Sequence, residues 1–121
     1  LKDVISGVIP KQHDQRYLYQ IISNSCFSVD VDKFDYLSRD CLYLGVKHSY
    51  DSSRLLNFSK VINGNICFHA KEAYNLYELF HTRYTLHKQI YSHRVCQSVD
   101  YMISDALIAA DEELGIAESI D

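Results

Sequence analysis

One stretch, residues 30 to 40, concentrates side chains that could do chemistry. It reads Asp-Val-Asp-Lys-Phe-Asp-Tyr-Leu-Ser-Arg-Asp, with four carboxylates and two cations. Lys33, Tyr36 and Asp40 recur at i, i+3 and i+7, which is the spacing of one face of an α-helix, and Asp32 lies one turn before Tyr36. An ammonium, a phenol and two carboxylates would therefore share one flank of a helix. A cation in such a set matches a phosphate, and a carboxylate suits a hydroxyl donor.

The same stretch has a simpler interpretation as a solvated helix face. Charged helix faces usually just meet water, and Asp35 and Arg39 have the i,i+4 spacing of an ordinary surface ion pair. Residue types and spacing alone favour this solvated face over a binding site.

A second candidate group lies near residue 83. Arg83 falls inside an apolar stripe, between Leu79 and Leu86, where an aliphatic residue would be expected, and a buried guanidinium needs a partner. Arg83, His87 and Tyr91 also follow each other at i, i+4 and i+8. Two interpretations stay open on spacing alone: Arg83 extends outward from an ordinary packed core, or its fork binds an anion such as phosphate.

The elements that must position these residues are mostly helices. Asp30 is a plausible N-cap, Gly45 a plausible stop, and Phe34, Leu37, Cys41 and Leu44 form the inner stripe of the helix between them. We expect a mainly α fold with one small β-hairpin. The remaining predicted elements are a helix over 17–22 with Leu18, Ile21 and Ile22 facing inward, a helix over 54–59 capped by Asp51, strands at 60–62 and 65–69 around an Asn63-Gly64 turn, and helices over 72–93 and 95–114.

Composition limits the class of protein. The 121 residues suffice for one small domain. The content of 47% hydrophobic and 23% charged residues is typical of a folded chain. A net charge of −4 argues against a general nucleic-acid surface, and we expect no membrane-spanning segment. The four cysteines lack metal-ligand spacing, and Cys41 and Cys96 fall on apolar stripes. We therefore expect buried free thiols and an intracellular, cytoplasmic or nuclear location.

The motif over residues 30 to 45, D-V-D-K-F-D-Y-L-x-R-D-x-x-x-L-G, resembles the signature of the SAM-and-HD-domain deoxynucleoside triphosphate triphosphohydrolases. A second motif, F-H-T-R-x-x-L-H-x-x-x-Y over residues 80 to 91, carries the same resemblance. It covers Tyr17 to about Leu114 and implies the C-terminal half of an HD-domain catalytic core. We expect one segment cut from a longer protein, with an N-terminal extension over 1–16, a helical core over 17–114 and a frayed tail over 115–121. His13-Asp14 is expected to be a solvated loop pair, because the family's metal-binding H…HD set belongs upstream.

The resemblance implies specific roles. Asp32 corresponds to the last metal ligand, Lys33 and Arg83 would contact the triphosphate, and Asp40 would accept from the 3′-hydroxyl. Tyr36 and Tyr91 would pack against the sugar and exclude a 2′-hydroxyl, and His87 would line the pocket. No catalytic residue is assigned within this chain. The whole protein would use a divalent metal, with Mg, Mn, Fe and Zn not distinguished, while the segment alone should bind none and be inactive.

The resemblance also implies regulation. Residues that match a nucleotide-binding interface between subunits of the vertebrate member are Asp51, Arg54, Phe58, Lys71, Asn75, Arg94 and Val95. His69 and Gln89 stand where that member has arginines, which puts activation by the same nucleotides in question. We expect the intact protein to form a homo-oligomer and to hydrolyse deoxynucleoside triphosphates to deoxynucleoside and triphosphate. The alternatives are a nucleotide-sensing or oligomerisation module without catalysis, and a plain helical interaction domain.

Overall fold

The computed structural model describes Ile5 and residues 15 to 119, and these residues form five α-helices and one two-stranded sheet. The expected mainly α fold with one small hairpin is confirmed. The predictions for His13-Asp14 and the rest of the N-terminal extension lie outside the described residues. The elements are α1 (Arg16–Ile22), α2 (Val31–Leu44), α3 (Ser52–Asn57), β1 (Ser59–Ile62), β2 (Asn65–Phe68), α4 (Ala73–Leu86) and α5 (Arg94–Leu114).

The chain divides into two compact units, Leu1–Arg83 and Tyr84–Asp121. In the first unit the buried apolar side chains come from α2, α3, α4 and the loop segments beside them. They are Val29, Leu37, Cys41, Tyr50, Leu55 and Leu79. This core fixes α2, which carries most of the candidate site, against the neighbouring helices.

The central helix α2 begins and ends where the sequence predicts. The Asp30 carboxylate accepts the Lys33 backbone N–H at 3.2 Å, and Gly45 ends the helix in the left-handed region with φ of 66°. Leu37 and Cys41 are buried, whereas Leu44 is half exposed. The predicted burial of this stripe is therefore correct in the middle of α2 and wrong in its last turn.

The apolar face predicted for α1 is wrong. Leu18, Ile21 and Ile22 are 38–46% exposed, and the residue that α1 buries completely is Gln20. The Gln20 amide donates to Asn65 Oδ1 at 3.0 Å and accepts the Ile66 backbone N–H at 2.8 Å. A polar side chain can be buried when both ends of its amide are bonded, so α1 is joined to β2 through hydrogen bonds.

The hairpin forms as predicted. β1 and β2 pair antiparallel from Ser59 opposite Phe68 to Ile62 opposite Asn65. Asn63 and Gly64 both have positive φ, 51° and 74°. Two consecutive positive φ values define the turn that suits the twist of a two-residue hairpin loop, which explains the Asn-Gly pair.

The single helix predicted over 72–93 is instead broken into three segments. A 3₁₀ turn (Ala70–Glu72) leads into α4, and a π-helical turn (His87–Tyr91) follows it. The Ser92 backbone N–H donates to the His87 carbonyl at 2.9 Å, a bond across five residues that widens the turn. An uninterrupted periodicity of apolar residues does not reveal such a change of helix type.

In the second unit, α5 begins one residue earlier than predicted. His93 Nδ1 accepts the Val95 backbone N–H at 3.3 Å, and Gly115 ends the helix with φ of 58°. All four cysteines are free, as predicted, but only Cys41 is buried; Cys26 and Cys96 are exposed, so their predicted burial is wrong. None of the helices that the structure describes combines the length and apolarity needed to cross a bilayer.

Candidate functional site

The predicted stripe on α2 is formed. Because α2 is a regular helix through residue 44, Lys33, Tyr36 and Asp40 lie on one face of it. Tyr36 and Asp40 are half-buried, and Asp32 is exposed in the first turn. The Lys33 ammonium lies 3.5 Å from both carboxylate oxygens of Asp30, with only 17% of its side chain exposed. The face thus combines a partly enclosed cation with polar acceptors.

The loop before α2 holds the start of that helix. The buried Asn24 side chain donates to the Val29 carbonyl at 3.1 Å and accepts backbone N–H groups of Cys26 and Phe27. The Asn24 backbone N–H in turn donates to Asp30 Oδ2 at 3.2 Å. Asp30 therefore serves the helix cap, the loop and the Lys33 ammonium together, and it fixes where Asp32 and Lys33 emerge.

An open depression of about 690 Å³ lies at this helix start. Three carboxylates and one ammonium contribute to its lining, which comprises Ile5, Ile22, Ser23, Asp30, Val31, Asp32, Lys33 and Asp35. Among the residues that the structure describes, no three His, Cys, Asp or Glu side chains converge in the way a metal site requires. These residues do not fit a complete metal centre, and Asp32 is at most one ligand of such a site.

Arg83 lies near the end of α4 with its side chain exposed, which agrees with the interpretation that it extends outward from a packed core. The neighbouring Thr82 is buried, and its hydroxyl donates to the Glu78 carbonyl at 2.8 Å. Among the side chains that the structure describes, no carboxylate pairs with Arg83. Its guanidinium therefore extends outward and can meet a ligand or water.

His87 and Tyr91 belong to the second unit and lie at the two ends of the π-helical turn. Their ring centroids are 4.9 Å apart with an interplanar angle of 80°, an edge-to-face contact. His87 is exposed and Tyr91 half-buried. π-helical turns occur frequently at functional sites, because they re-aim the side chains that follow.

Five of the seven residues matched to a regulatory interface gather in the first unit. We name them with Glu72 the Arg54 cluster, which consists of Asp51, Arg54, Phe58, Lys71, Glu72 and Asn75. The Arg54 guanidinium bonds both Glu72 carboxylate oxygens, with N–O distances of 2.8–2.9 Å. The Lys71 ammonium lies 4.1 Å, and the Arg54 guanidinium carbon 5.3 Å, from the centroid of the Phe58 ring. Two cations therefore lie within cation–π distance of one aromatic ring.

Glu72 is the member of the Arg54 cluster that sequence reasoning missed, since it was read only as the start of a helix. Its side chain is 1% exposed. The hydrogen bond from Arg54 lowers the pKa of Glu72, outweighing burial, which raises it, and the Asn75 amide adds to the lowering. The one feature of the sequence that could have indicated this role is that a carboxylate directly follows Lys71. The other two matched residues, Arg94 and Val95, lie exposed in the first turn of α5 in the second unit.

The chain is similar to individual known proteins. No family model matches it. It is 52% identical over 120 residues to the deoxynucleoside triphosphate triphosphohydrolase SAMHD1 homolog of Dictyostelium discoideum, covering 97% of this chain and 23% of that protein. It is 40% identical over 110 residues to the SAMHD1 enzyme of Homo sapiens, covering 88% of the chain and 18% of the enzyme.

A viral relative extends the comparison. The putative HD domain-containing protein L394 of Acanthamoeba polyphaga mimivirus is 35% identical over 121 residues, covering 98% of this chain and 26% of that protein. The chain thus spans between about a sixth and about a quarter of the length of these curated relatives. It belongs, as a part, to the SAMHD1 family of HD-domain deoxynucleoside triphosphate triphosphohydrolases.

Proposed function

We propose that this chain is the part of a metal-dependent deoxynucleoside triphosphate triphosphohydrolase that clamps the nucleotide and supplies one metal ligand. The observation that carries the proposal is the face of α2 with Lys33, Tyr36 and Asp40, within a segment 52% identical to a relative named for that activity. In the reaction, water cleaves the bond between the deoxynucleoside and the α-phosphate, so that triphosphate leaves intact.

The charges on the first unit suit a triphosphate and a deoxyribose. Lys33 and Arg83 supply cations, and the exposed guanidinium of Arg83 presents a fork that can bind two phosphate oxygens. Asp40 offers a carboxylate to the 3′-hydroxyl. By the resemblance, Tyr36 would pack against the sugar and leave no room for a 2′-hydroxyl. In the second unit, the same resemblance gives Tyr91 a sugar contact and His87 a place in a nucleotide pocket.

Asp32 is proposed as one ligand of a divalent metal, with the other ligands supplied by residues outside this chain. When bound, such a metal neutralises phosphate charge and lowers the pKa of a coordinated water. The exposed position of Asp32 in the first turn of α2, beside Lys33, leaves its carboxylate accessible to that ion.

A second candidate function is nucleotide sensing coupled to assembly, without catalysis. The Arg54 cluster favours it, because two cations face one aromatic ring around a buried carboxylate. In a homo-oligomer, Arg94 and Val95 would add to the same nucleotide site. This role and the catalytic role are compatible in one protein.

The test uses the full-length protein that contains this chain. Asp32→Ala should reduce triphosphate release from each deoxynucleoside triphosphate by about a hundredfold or more, and should lower metal content by mass spectrometry, since losing a ligand weakens metal binding. Asp105→Ala is the control, because Asp105 is an exposed carboxylate of α5 that has no part in the proposed clamp or metal site. Nucleotide binding by the unmodified protein without triphosphate release would instead favour the sensor.

A further inference from the structure

The loop between α1 and α2 is closed by one residue, Asn24. All four of its polar groups, two on the backbone and two on the side chain, form hydrogen bonds within the loop or with the start of α2. Its carbonyl accepts the Ser28 N–H at 2.8 Å, and its side chain bonds the Val29 carbonyl and the N–H groups of Cys26 and Phe27. Asn24 is 3% exposed, so these bonds are made away from water, and losing them is costly.

The loop has a conformation that its sequence does not favour by itself. Ser28 has a positive φ of 54°, which is uncommon for a residue other than glycine because Cβ crowds the backbone. Asn24 compensates for this, because it bonds both the Ser28 N–H and the carbonyl of the following residue, Val29. Strained residues persist where the surrounding bonds over-determine the backbone, and they cluster at functional sites. The fixed loop therefore points to a role beyond connecting two helices.

Asn24 is connected to the proposed clamp through Asp30. The Asn24 backbone N–H donates to Asp30 Oδ2 at 3.2 Å, and Asp30 Oδ1 accepts the Lys33 backbone N–H at 3.2 Å. The Lys33 ammonium also lies 3.5 Å from both of these oxygens. Because both oxygens are bonded and Asp30 is 8% exposed, the carboxylate is held in one orientation. The direction in which Lys33 leaves α2 therefore depends on where Asn24 holds Asp30.

We propose that Asn24 is a positioning residue for Lys33 and that it acts through Asp30. This inference rests on the proposed function, in which Lys33 contacts the triphosphate, and adds to it the residue that directs the ammonium. A lysine whose direction is already set loses less side-chain freedom when it binds phosphate. Asn24→Ala removes the three side-chain bonds of the loop, so that Val29 and Asp30 can move away from residue 24 and take Lys33 with them.

The experiment is a double-mutant cycle between Asn24 and Lys33 in the full-length protein. The assay measures triphosphate release from an equimolar mixture of the four deoxynucleoside triphosphates at concentrations well below saturation. Asn24→Ala should lower the rate about tenfold, and Lys33→Ala should lower it at least as much. In the Lys33→Ala background, Asn24→Ala should change the rate less than about twofold, because the side chain that it positions is already absent. A merely structural residue would lower the rate by the same factor in both backgrounds.

Gln20→Ala is the matched control for destabilisation. Gln20 is a second buried side-chain amide, but its two bonds join α1 to the hairpin and not to α2. The substitution should lower the melting temperature and leave the rate of the folded protein within about twofold in both backgrounds. Amide hydrogen exchange adds a measurement that does not depend on activity: the N–H groups of Lys33 and Phe34 should exchange faster in Asn24→Ala than in Gln20→Ala.

Equal rate factors in both Lys33 backgrounds, or unchanged exchange at Lys33 in Asn24→Ala, would overturn the role of Asn24 and leave the proposed activity intact. If Asn24→Ala does not fold, Asn24→Asp replaces it, because a carboxylate still accepts the Cys26 and Phe27 N–H groups and loses only the donor to Val29. Asn24→Asp should lower the rate about threefold, again only while Lys33 is present. A full-length protein that releases no triphosphate, or that is unaffected by Lys33→Ala, would overturn the proposed function and this inference with it.

Discussion

At the scale of single residues, the candidate site depends on which charges are already paired. Lys33 has Asp30 beside it and Arg54 has Glu72, whereas Arg83 has no carboxylate partner among the side chains that the structure describes. If nucleotides bind as proposed, they would compete with Asp30 for Lys33 and with Glu72 for Arg54. Phosphate binding by Arg83 would break no ion pair of the described residues, which makes Arg83 the cleaner test of the proposed clamp.

Arg83→Ala should reduce activity far more than stability. An exposed side chain changes the free energy of unfolding by less than about 0.5 kcal/mol, so the melting temperature should move little. Losing a charge-assisted phosphate contact costs roughly 1.5–3 kcal/mol, about ten- to a hundredfold in kcat/KM. Lys47→Ala removes another exposed cation of the first unit as a control. A large drop in melting temperature with normal activity of the folded protein would rule out the phosphate clamp.

Glu72 should give the first unit a specific response to acid. Its pKa is lowered below the ordinary 4.5 by the Arg54 hydrogen bond, so the ionised form is favoured in the folded protein. The stability from this pair is fully present above about pH 4.5 and is lost as pH falls through the lowered pKa. The melting-temperature gap between the unmodified protein and Glu72→Gln should therefore be largest near neutral pH and shrink below pH 4.5.

The control for that measurement is Glu113→Gln, since Glu113 is an exposed carboxylate of the second unit. The difference in melting temperature between the unmodified protein and Glu113→Gln should be small and should not change across the same pH range. A Glu72→Gln gap that stays constant from pH 7 to pH 3 would show that the Arg54 bond does not depend on the charge of Glu72.

At the scale of elements, α2 is specified locally, and this explains why it was predictable. Its start depends on Asp30, its end on Gly45, and its buried face on Leu37 and Cys41, all of which are readable within one helix length. The Asn63-Gly64 turn is equally local. The one-face arrangement of Lys33, Tyr36 and Asp40 follows from the helix itself.

Other features depend on partners distant in sequence and were not predictable from local pattern. Gln20 can be buried because its amide donates to Asn65 and accepts the Ile66 backbone N–H, and no periodicity along α1 indicates that. Arg83 is exposed beside the buried Thr82, and apolar spacing alone did not decide between its two interpretations. The π-helical turn at His87 also leaves no mark in apolar spacing. Sequence reasoning therefore identified the site helix but misjudged the apolar face of α1.

Asp30→Ala should loosen the start of α2. Removing an N-cap costs about 1–2 kcal/mol, and here the buried Asn24 backbone N–H would also lose its acceptor. Urea denaturation of the protein that contains this chain should show a lowered midpoint with an unchanged m-value. Asp30→Asn should recover only part of the loss, because the Lys33 and Asn24 N–H groups bond to different carboxylate oxygens and an amide keeps only one of them. If Asp30→Ala matched the unmodified protein, the cap would not be what fixes the helix start.

At the scale of the whole molecule, α5 exposes several large apolar side chains on one side. They are Val99, Met102, Ile103 and Leu107, which are each 48–69% exposed. Contiguous exposed apolar side chains mark surfaces that another protein segment covers. This agrees with relatives of which the chain spans between about a sixth and about a quarter.

The 121-residue chain produced alone should therefore fail to hydrolyse nucleotides. Asp32 is the one metal ligand proposed within it, and no three metal-binding side chains converge among the residues that the structure describes. Incubation with each deoxynucleoside triphosphate and Mn²⁺ or Mg²⁺ should release no triphosphate above a buffer control, while the full-length protein in the same assay serves as the positive control. The isolated chain should also retain less metal after gel filtration than the full-length protein. Turnover by the isolated chain that Asp32→Ala abolishes would mean that this segment builds a complete active centre, and the division of ligands between it and other residues would be wrong.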